Sequence, residues 1–290
     1  MRILVTGGDG QLGRSLKEAT RDSANEYIFT DVDDIDITDP EAVDLGVKCN
    51  DFQAIVNCAA FTDVERAEEQ EDIATLINAT APAYLAKAAV ECGIPLIHIS
   101  TDYVFGGDCV STPLTEDSPV SPIGAYGRTK LFGEQAIQAS GCRHLIIRTA
   151  WLYSEFGHNF LKTMLRLTAE KPSLNVVFDQ TGTPTYARDL AETIAGIIDS
   201  GQLADHSGIY HYTDEGVCSW FDFARMIADT AGHLSCDIRP CRSSEFPTRA
   251  TRPSYSVLDK SKIRRDFSLA IPYWVDSLRR CLAAMAANNQ

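Results

Sequence analysis

The chain runs from Met1-Arg2-Ile3-Leu4-Val5-Thr6 directly into Gly7-Gly8-Asp9-Gly10-Gln11-Leu12-Gly13. No other feature narrows the possible folds as much. The apolar run reads as a buried strand, and the residues from Gln11 read as a helix. Between them Gly7, Gly10 and Gly13 satisfy Gly-x-x-Gly-x-x-Gly, and Gly8, Gly10 and Gly13 satisfy Gly-x-Gly-x-x-Gly. Glycines at these places allow a tight turn, close approach of backbone to a pyrophosphate, and close packing of helix on strand. The helix start then offers free N–H groups and the positive end of its dipole. A bare strand-to-helix turn is the competing reading. The position of the motif, between a strand and a helix at the start of the chain, favours the dinucleotide site.

The rest of the first half repeats the strand and helix alternation. Periodicity predicts strands at 2–6, 27–31, 54–58, 95–100 and 145–149, with helices at 11–21, from Asp39-Pro40, at 73–92 and at 125–140. Strands without polar alternation, separated by helices, imply a parallel sheet covered on both faces. Right-handed crossovers make this an α/β, Rossmann-type doubly wound fold. Residues 1–150 form the dinucleotide-binding domain in this reading. Residues 151–290 form mainly a smaller substrate-binding lobe, with about 187–212 returning to the sheet. In that half, helices are expected at 159–170, 187–200, 220–231 and 272–287, a strand at 175–178, and an ordered loop at 240–256.

Composition excludes several classes of function. The formal charge of −14 disfavours nucleic acid and anionic membrane as partners. No apolar run approaching the length of a membrane span is read, and no signal peptide, because residue 2 already reads as core strand. Nine cysteines, an odd number without Cys-x-x-Cys pairs or a histidine cluster, indicate a reducing cytoplasm and no metal site.

Candidate chemistry lies in the middle of the chain. Tyr126 and Lys130 stand one helical turn apart in Ala125-Tyr126-Gly127-Arg128-Thr129-Lys130, downstream of the hydroxyl-bearing strand end Ser100-Thr101-Asp102. On one helix face an ammonium favours the phenolate and draws the tyrosine pKa down from about 10. A tyrosine so tuned exchanges a proton with a carbonyl or alcohol oxygen. Asp31 ends the second strand about 20 residues past the glycines, where a carboxylate accepts from adenosine ribose hydroxyls and repels a 2′-phosphate. Asp33, Asp34 and Asp36 extend an acidic run that also reads as a solvated loop.

With the glycine turn, Asn57-Cys58-Ala59-Ala60, Thr101 and Tyr126-x-x-x-Lys130 in this order, the chain resembles the extended short-chain dehydrogenase/reductases. Ser100-Thr101-Asp102-Tyr103-Val104-Phe105, Leu76-Ile77-Asn78-Ala79-Thr80, Arg148-Thr149-Ala150-Trp151, Asn159-Phe160, Asp179-Gln180-x-Gly182-x-Pro184-Thr185, Arg252-Pro253 and Pro272-x-Trp274 narrow the resemblance to the dTDP-4-dehydrorhamnose reductase family, over essentially the whole chain. The resemblance implies NADPH- or NADH-dependent reduction of a dTDP-linked 4-keto-6-deoxy sugar, the last step of dTDP-L-rhamnose synthesis. It implies that Gly10, Gln11 and Leu12 hold the pyrophosphate, Asp31 the ribose, and Asp36 and Ile37 the adenine. Ala59, Ala60, Phe61 and Thr62 would line the cofactor further along. Thr101, Asp102 and Trp151 would meet the sugar, with Tyr126 as proton donor and Lys130 on the nicotinamide ribose. Arg249 and Arg252 are candidates for the nucleotide diphosphate, by the bidentate geometry of guanidinium on phosphate. Some dimeric members gather glutamates around magnesium. The matching positions here are Ser15, Arg188 and Ala284, none acidic. The expectation is therefore no Mg2+, and a monomer or a dimer not bridged by metal.

Three rivals share the scaffold. Sugar-nucleotide 4,6-dehydratases resemble this chain but read Thr-Asp-Glu where it reads Thr101-Asp102-Tyr103. Epimerases keep Tyr-x-x-x-Lys with permanently bound NAD. A non-catalytic regulatory subunit, like that of methionine adenosyltransferase, is a rival from another class.

Overall fold

The computed structural model describes residues 1–106 and 110–288. Its centre is a six-stranded sheet built from β1 (Arg2–Thr6), β2 (Glu26–Thr30), β3 (Ala54–Asn57), β4 (Leu96–Thr101), β5 (His144–Thr149) and the later strand Gly208–His211. The order across the sheet is Gly208–His211, β5, β4, β3, β1, β2, and every pairing is parallel. Alternation within β1 shows why both faces need cover. Ile3 and Val5 point into one core with Leu16, Leu190 and Ile194, and Leu4 points into the other with Val43, Leu85 and Ile137. Successive strand side chains face opposite sides, so a sheet buried on both faces must be apolar throughout. The first helix, α1 (Gln11–Ala19), packs beside the helix Ala187–Asp199, which completes one of these layers.

β1 lies between β2 and β3, so connections run to opposite edges at this point. In open α/β sheets such a switch leaves a crevice beyond the strand ends, where ligands bind. Beyond β5 a second cluster forms around Tyr153, Leu161, Phe223, Ile227 and Leu278. It is built from the helices Phe160–Glu170, Trp220–Ala231 and Trp274–Asn288, with the parallel pair Ser173–Val177 and Asp237–Cys241. The strand expected from 175 thus begins at Ser173, and the region expected as loop from 240 begins with the end of a strand.

The helix expected at 73–92 departs from the sequence reading. It divides into Glu71–Thr75, a π-helical turn Leu76–Thr80, and Ala81–Cys92, which ends at left-handed Gly93. Pro82 has no N–H to give to the carbonyl of Asn78, so the regular ladder breaks there. The Asn78 carboxamide turns to hold the backbone of Phe61, accepting from its N–H at 2.9 Å and donating to its carbonyl at 3.0 Å. By length and composition residues 71–92 would also pass as a membrane-crossing helix, with an 18-residue window of mean hydropathy 1.2, contrary to the sequence reading. Half of that window is buried inside the protein instead.

Candidate active site

A cleft of about 810 Å3 opens over the ends of β1, β3, β4 and β5 and runs toward the second lobe. Its floor needs glycine. Gly7 has a φ of 69°, and a Cβ there would come within 2.6 Å of the Ala59 nitrogen. Gly13 lies outside the lining; a Cβ on it would collide with the Gly7 carbonyl, so it sets how closely α1 packs on the turn. Gly10 caps α1 without a side-chain hydrogen bond, and the first turn holds no acid. The start of the helix therefore faces the cleft with nothing to neutralise its N–H groups.

Gln11 and Leu12 line this end, but the Gln11 side chain reaches the other lobe. Its Oε1 accepts from Asn159 Nδ2 at 2.8 Å and from Ser154 Oγ at 3.2 Å. Asp31 lines the cleft while its Oδ2 accepts from the Asp9 N–H at 3.0 Å and its Oδ1 from the Val32 N–H at 2.9 Å. Asp36 and Ile37 close the outer end. The Asp36 carboxyl is held below its usual range by hydrogen bonds from the Thr38 hydroxyl and N–H. Ala59, Ala60 and Thr62 line the next stretch; Phe61, whose backbone is held by the Asn78 carboxamide, does not.

Thr101, Asp102, Tyr126, Lys130 and Trp151 converge at the inner end. Tyr126 lies edge-on to Tyr103, with ring centroids 5.4 Å apart, and its phenol is within hydrogen-bond reach of Thr101. Burial pushes the Tyr126 phenol up to about 12, against the Thr101 hydrogen bond and helped by the charge of Asp102. The sequence reading had Lys130 drawing it down, and the geometry corrects this. Lys130 Nζ donates to the Ile99 carbonyl at 2.7 Å and lies 3.2 Å from His98 Nε2, and burial brings the lysine itself down to about 8. A weakened ammonium engaged on β4 does little for a phenol that the same burial keeps neutral. Neutral is the form a proton donor requires.

Asp102 is almost wholly buried. Its Oδ1 accepts from the Thr101 hydroxyl at 3.1 Å, while Oδ2 makes no well-formed hydrogen bond. Burial raises this carboxyl to about 6, opposed by the Ser256 and Thr101 hydroxyls and by nearby N–H groups. The folded value exceeds the ordinary one, so this group's contribution to stability is full at low pH and is lost as pH rises through about 6. Asp102→Asn is therefore expected to stabilise the fold above that pH, by about 3 kcal/mol at pH 7, and to weaken turnover. Denaturant melts from pH 4 to 8 test this; an advantage that does not grow with pH would contradict it.

Trp151 adopts a left-handed backbone with φ of 48°. Its ring lies over Gly182, where a Cβ would come within 2.7 Å, and stacks on Trp220 at 3.6 Å with 10° between planes. Trp220, which also lines the cleft, escaped the sequence reading. Its only local signal is its place after Ser219, which caps the helix in a box with Asp222. His98, buried beneath Lys130, was missed because it reads as a core strand residue.

Arg249 and Arg252 do not line the cleft. Arg252 Nη2 lies 2.8 Å from Glu65 Oε1, Arg249 pairs with Glu69, and the backbone N–H groups of Arg249 and Ala250 donate to Glu65. Their charge is engaged by the helix Val64–Glu69. Of the three positions matched to the magnesium glutamates, Ser15 is buried on the Gln11 carbonyl and Arg188 pairs with Glu192.

Comparison with known proteins bears directly on this geometry. The family model described as the RmlD substrate binding domain matches residues 1–287. A dTDP-4-dehydrorhamnose reductase of Mycolicibacterium smegmatis is 39% identical, over 98% of this chain and 86% of the relative. The crystal structure of a dTDP-4-dehydrorhamnose reductase from Clostridium acetobutylicum superimposes with a TM-score of 0.93 at 41% identity, covering 99% of this chain and 100% of that one. One from Bacillus anthracis, in complex with NADP, gives 0.91 at 36% identity, covering 98% and 99%. The chain belongs to the dTDP-4-dehydrorhamnose reductase family.

Proposed function

We propose that this chain reduces the C4 ketone of dTDP-4-dehydro-L-rhamnose to give dTDP-L-rhamnose, using NADPH or NADH. The observation that carries the reading is the convergence of Thr101, Tyr126 and Lys130 at one end of a cleft whose other end is a glycine-floored helix start. The residues fit a dinucleotide, because a Cβ at Gly7 would narrow the cradle and the start of α1 is uncapped for phosphate. Gly7, Gly10, Gln11 and Leu12 would hold the pyrophosphate, with Gly13 setting the packing of α1. Asp31, Asp36 and Ile37 would hold the adenosine end, and Ala59, Ala60 and Thr62 the stretch between. The dinucleotide supplies the hydride.

Charge that develops on the sugar oxygen is met by this chain's own groups. The Thr101 hydroxyl, on turning from Asp102, donates a hydrogen bond to that oxygen, and Tyr126 delivers the proton as general acid. Lys130 orients the ribose, and Asp102 and Trp151 seat the sugar. Arg252 would reach the diphosphate only after leaving Glu65. Residues 1–150 act as the cofactor domain and 151–290 mainly as the substrate lobe, with about 187–212 returned to the cofactor domain. We take the working unit to be a cytoplasmic monomer, or a dimer not bridged by metal. Tyr103 stands where dehydratases carry glutamate, and its burial raises its pKa, so it is no base for water elimination.

The test is turnover with dTDP-4-dehydro-L-rhamnose and each reduced dinucleotide. Loss of reduced-nicotinamide absorbance should match formation of dTDP-L-rhamnose. Absence of turnover with both dinucleotides would remove the reading, and NAD+ retained through purification would point to an epimerase.

A further inference from the structure

Beneath Lys130 lies a chain of buried polar groups that the reaction, as described above, leaves unused. Thr6, Asn57, His98 and Lys130 are each no more than 1% exposed. Asn57 Oδ1 accepts from the Ala59 N–H at 3.1 Å and from the Thr6 hydroxyl at 2.8 Å. Asn57 Nδ2 lies 3.0 Å from His98 Nδ1, and His98 Nε2 lies 3.2 Å from Lys130 Nζ.

The direction of this chain follows from its first link. The Ala59 N–H can only donate, so it fixes the Asn57 oxygen on its own side and turns the amide nitrogen to His98. That nitrogen also only donates, so His98 Nδ1 must accept, and a neutral imidazole then carries its hydrogen on Nε2. The ring is held neutral, first by burial and then by the charge of Lys130. Its Nε2–H points at Lys130 Nζ. An ammonium has three N–H groups and no lone pair, so it would meet that hydrogen donor to donor. An amine has the lone pair to accept it.

We propose that Asn57 and His98 are positioning residues that turn an N–H toward Lys130 and so favour its neutral amine over its ammonium form. The other ionisable groups around the lysine do not undo this. Glu134, on the same helix, favours the ammonium, but its carboxylate is shared with Arg148 at 2.9 and 2.7 Å and with Ser100 at 2.5 Å. Arg148, from β5, lies beside His211, while Tyr126 and Asp102 share the cleft with Lys130. Burial acts in the same direction as the proposed effect of His98, and by itself brings the lysine down to about 8 against the charge of Glu134. The effect on activity rests on the reductase reading, in which Lys130 belongs to the working site; the tautomer of His98 does not.

Two measurements test the proposal. The first is 15N NMR of the imidazoles in the natural protein, with His98 identified by its loss in His98→Gln. A hydrogen on Nε2 and a bare Nδ1 are expected; a hydrogen on Nδ1 overturns the proposal whatever the enzyme does. The second is the pH dependence of kcat/KM for the dinucleotide, which reports the free enzyme. In Asn57→Asp one carboxylate oxygen keeps Ala59 and Thr6, and the other accepts from Nδ1–H, leaving a lone pair on Nε2 for the ammonium. The alkaline limb should move up by about one pH unit or more, near tenfold in the protonated-to-neutral ratio. A folded Asn57→Asp whose limb stays in place overturns the proposal, since a merely structural role would lower activity without moving it. If Asn57→Asp does not fold, the tautomer in the natural protein decides.

Discussion

Tyr126→Phe is expected to lower kcat about a thousandfold while leaving the fold and dinucleotide affinity almost unchanged. General acid catalysis contributes on the order of 10²–10⁴ in rate, and about 4 kcal/mol of barrier corresponds to the middle of that range. The three polar groups named with it at the inner end cannot take over. Thr101 is a weaker acid, Asp102 is ionised above about 6, and Lys130 is turned toward His98 and the Ile99 carbonyl. The ring itself stays, and with it the edge contact to Tyr103. The lost hydroxyl costs at most about 1 kcal/mol of stability, since its hydrogen-bonding neighbour Thr101 still has Asp102 and the Tyr103 N–H. Steady-state kinetics with both substrates varied, beside a thermal melt, would check this. A kcat within about tenfold of the natural enzyme would remove Tyr126 from the proton transfer.

Most of this arrangement was legible in the residues, for identifiable reasons. The glycine turn, the apolar strands and the Tyr126 helix are local patterns, and their meaning depends on neighbours a few positions away. Asp39 and Pro40 marked a helix start, and Asp39 does accept from the Glu41 N–H. What escaped depends on distant partners. The π-turn at Leu76–Thr80 needs both Pro82 and the pull of Phe61 on Asn78. Trp220 reaches Trp151 only through packing of the second lobe. Burial raised the Tyr126 pKa where spacing alone suggested a fall, because a motif shows which groups are near in sequence but not how much water remains. Arg249 and Arg252 had the right chemistry for phosphate, and a helix far earlier in the chain engages it.

Arg148→Met is expected to destabilise the protein by about 3–5 kcal/mol, because it leaves a buried carboxylate without its cation. Arg148 and Glu134 are 2% and 1% exposed and meet through two hydrogen bonds, of 2.9 and 2.7 Å. Without the guanidinium, Glu134 keeps, among the described residues, only the Ser100 hydroxyl. The guanidinium also lies 5.0 Å from the centroid of the Phe105 ring, a contact that methionine partly replaces with its own bulk. The decisive comparison is the double variant Arg148→Met with Glu134→Gln. Removing both charges of a buried pair is far less costly than removing one, so the second substitution should restore much of the loss. Denaturant melts of the four proteins give the coupling directly; a single variant within about 1 kcal/mol of the natural chain, or a double variant no better than the single, would refute the account. The site would feel the same change. This pair, with Ser100, pins the helix Ala125–Ala139 to β4 and β5, and that helix carries both Tyr126 and Lys130. A Glu134 left without Arg148 would favour the ammonium of Lys130, opposing the Nε2–H of His98. Arg148→Met should therefore also move the alkaline limb of activity upward, and Glu134→Gln should bring it back.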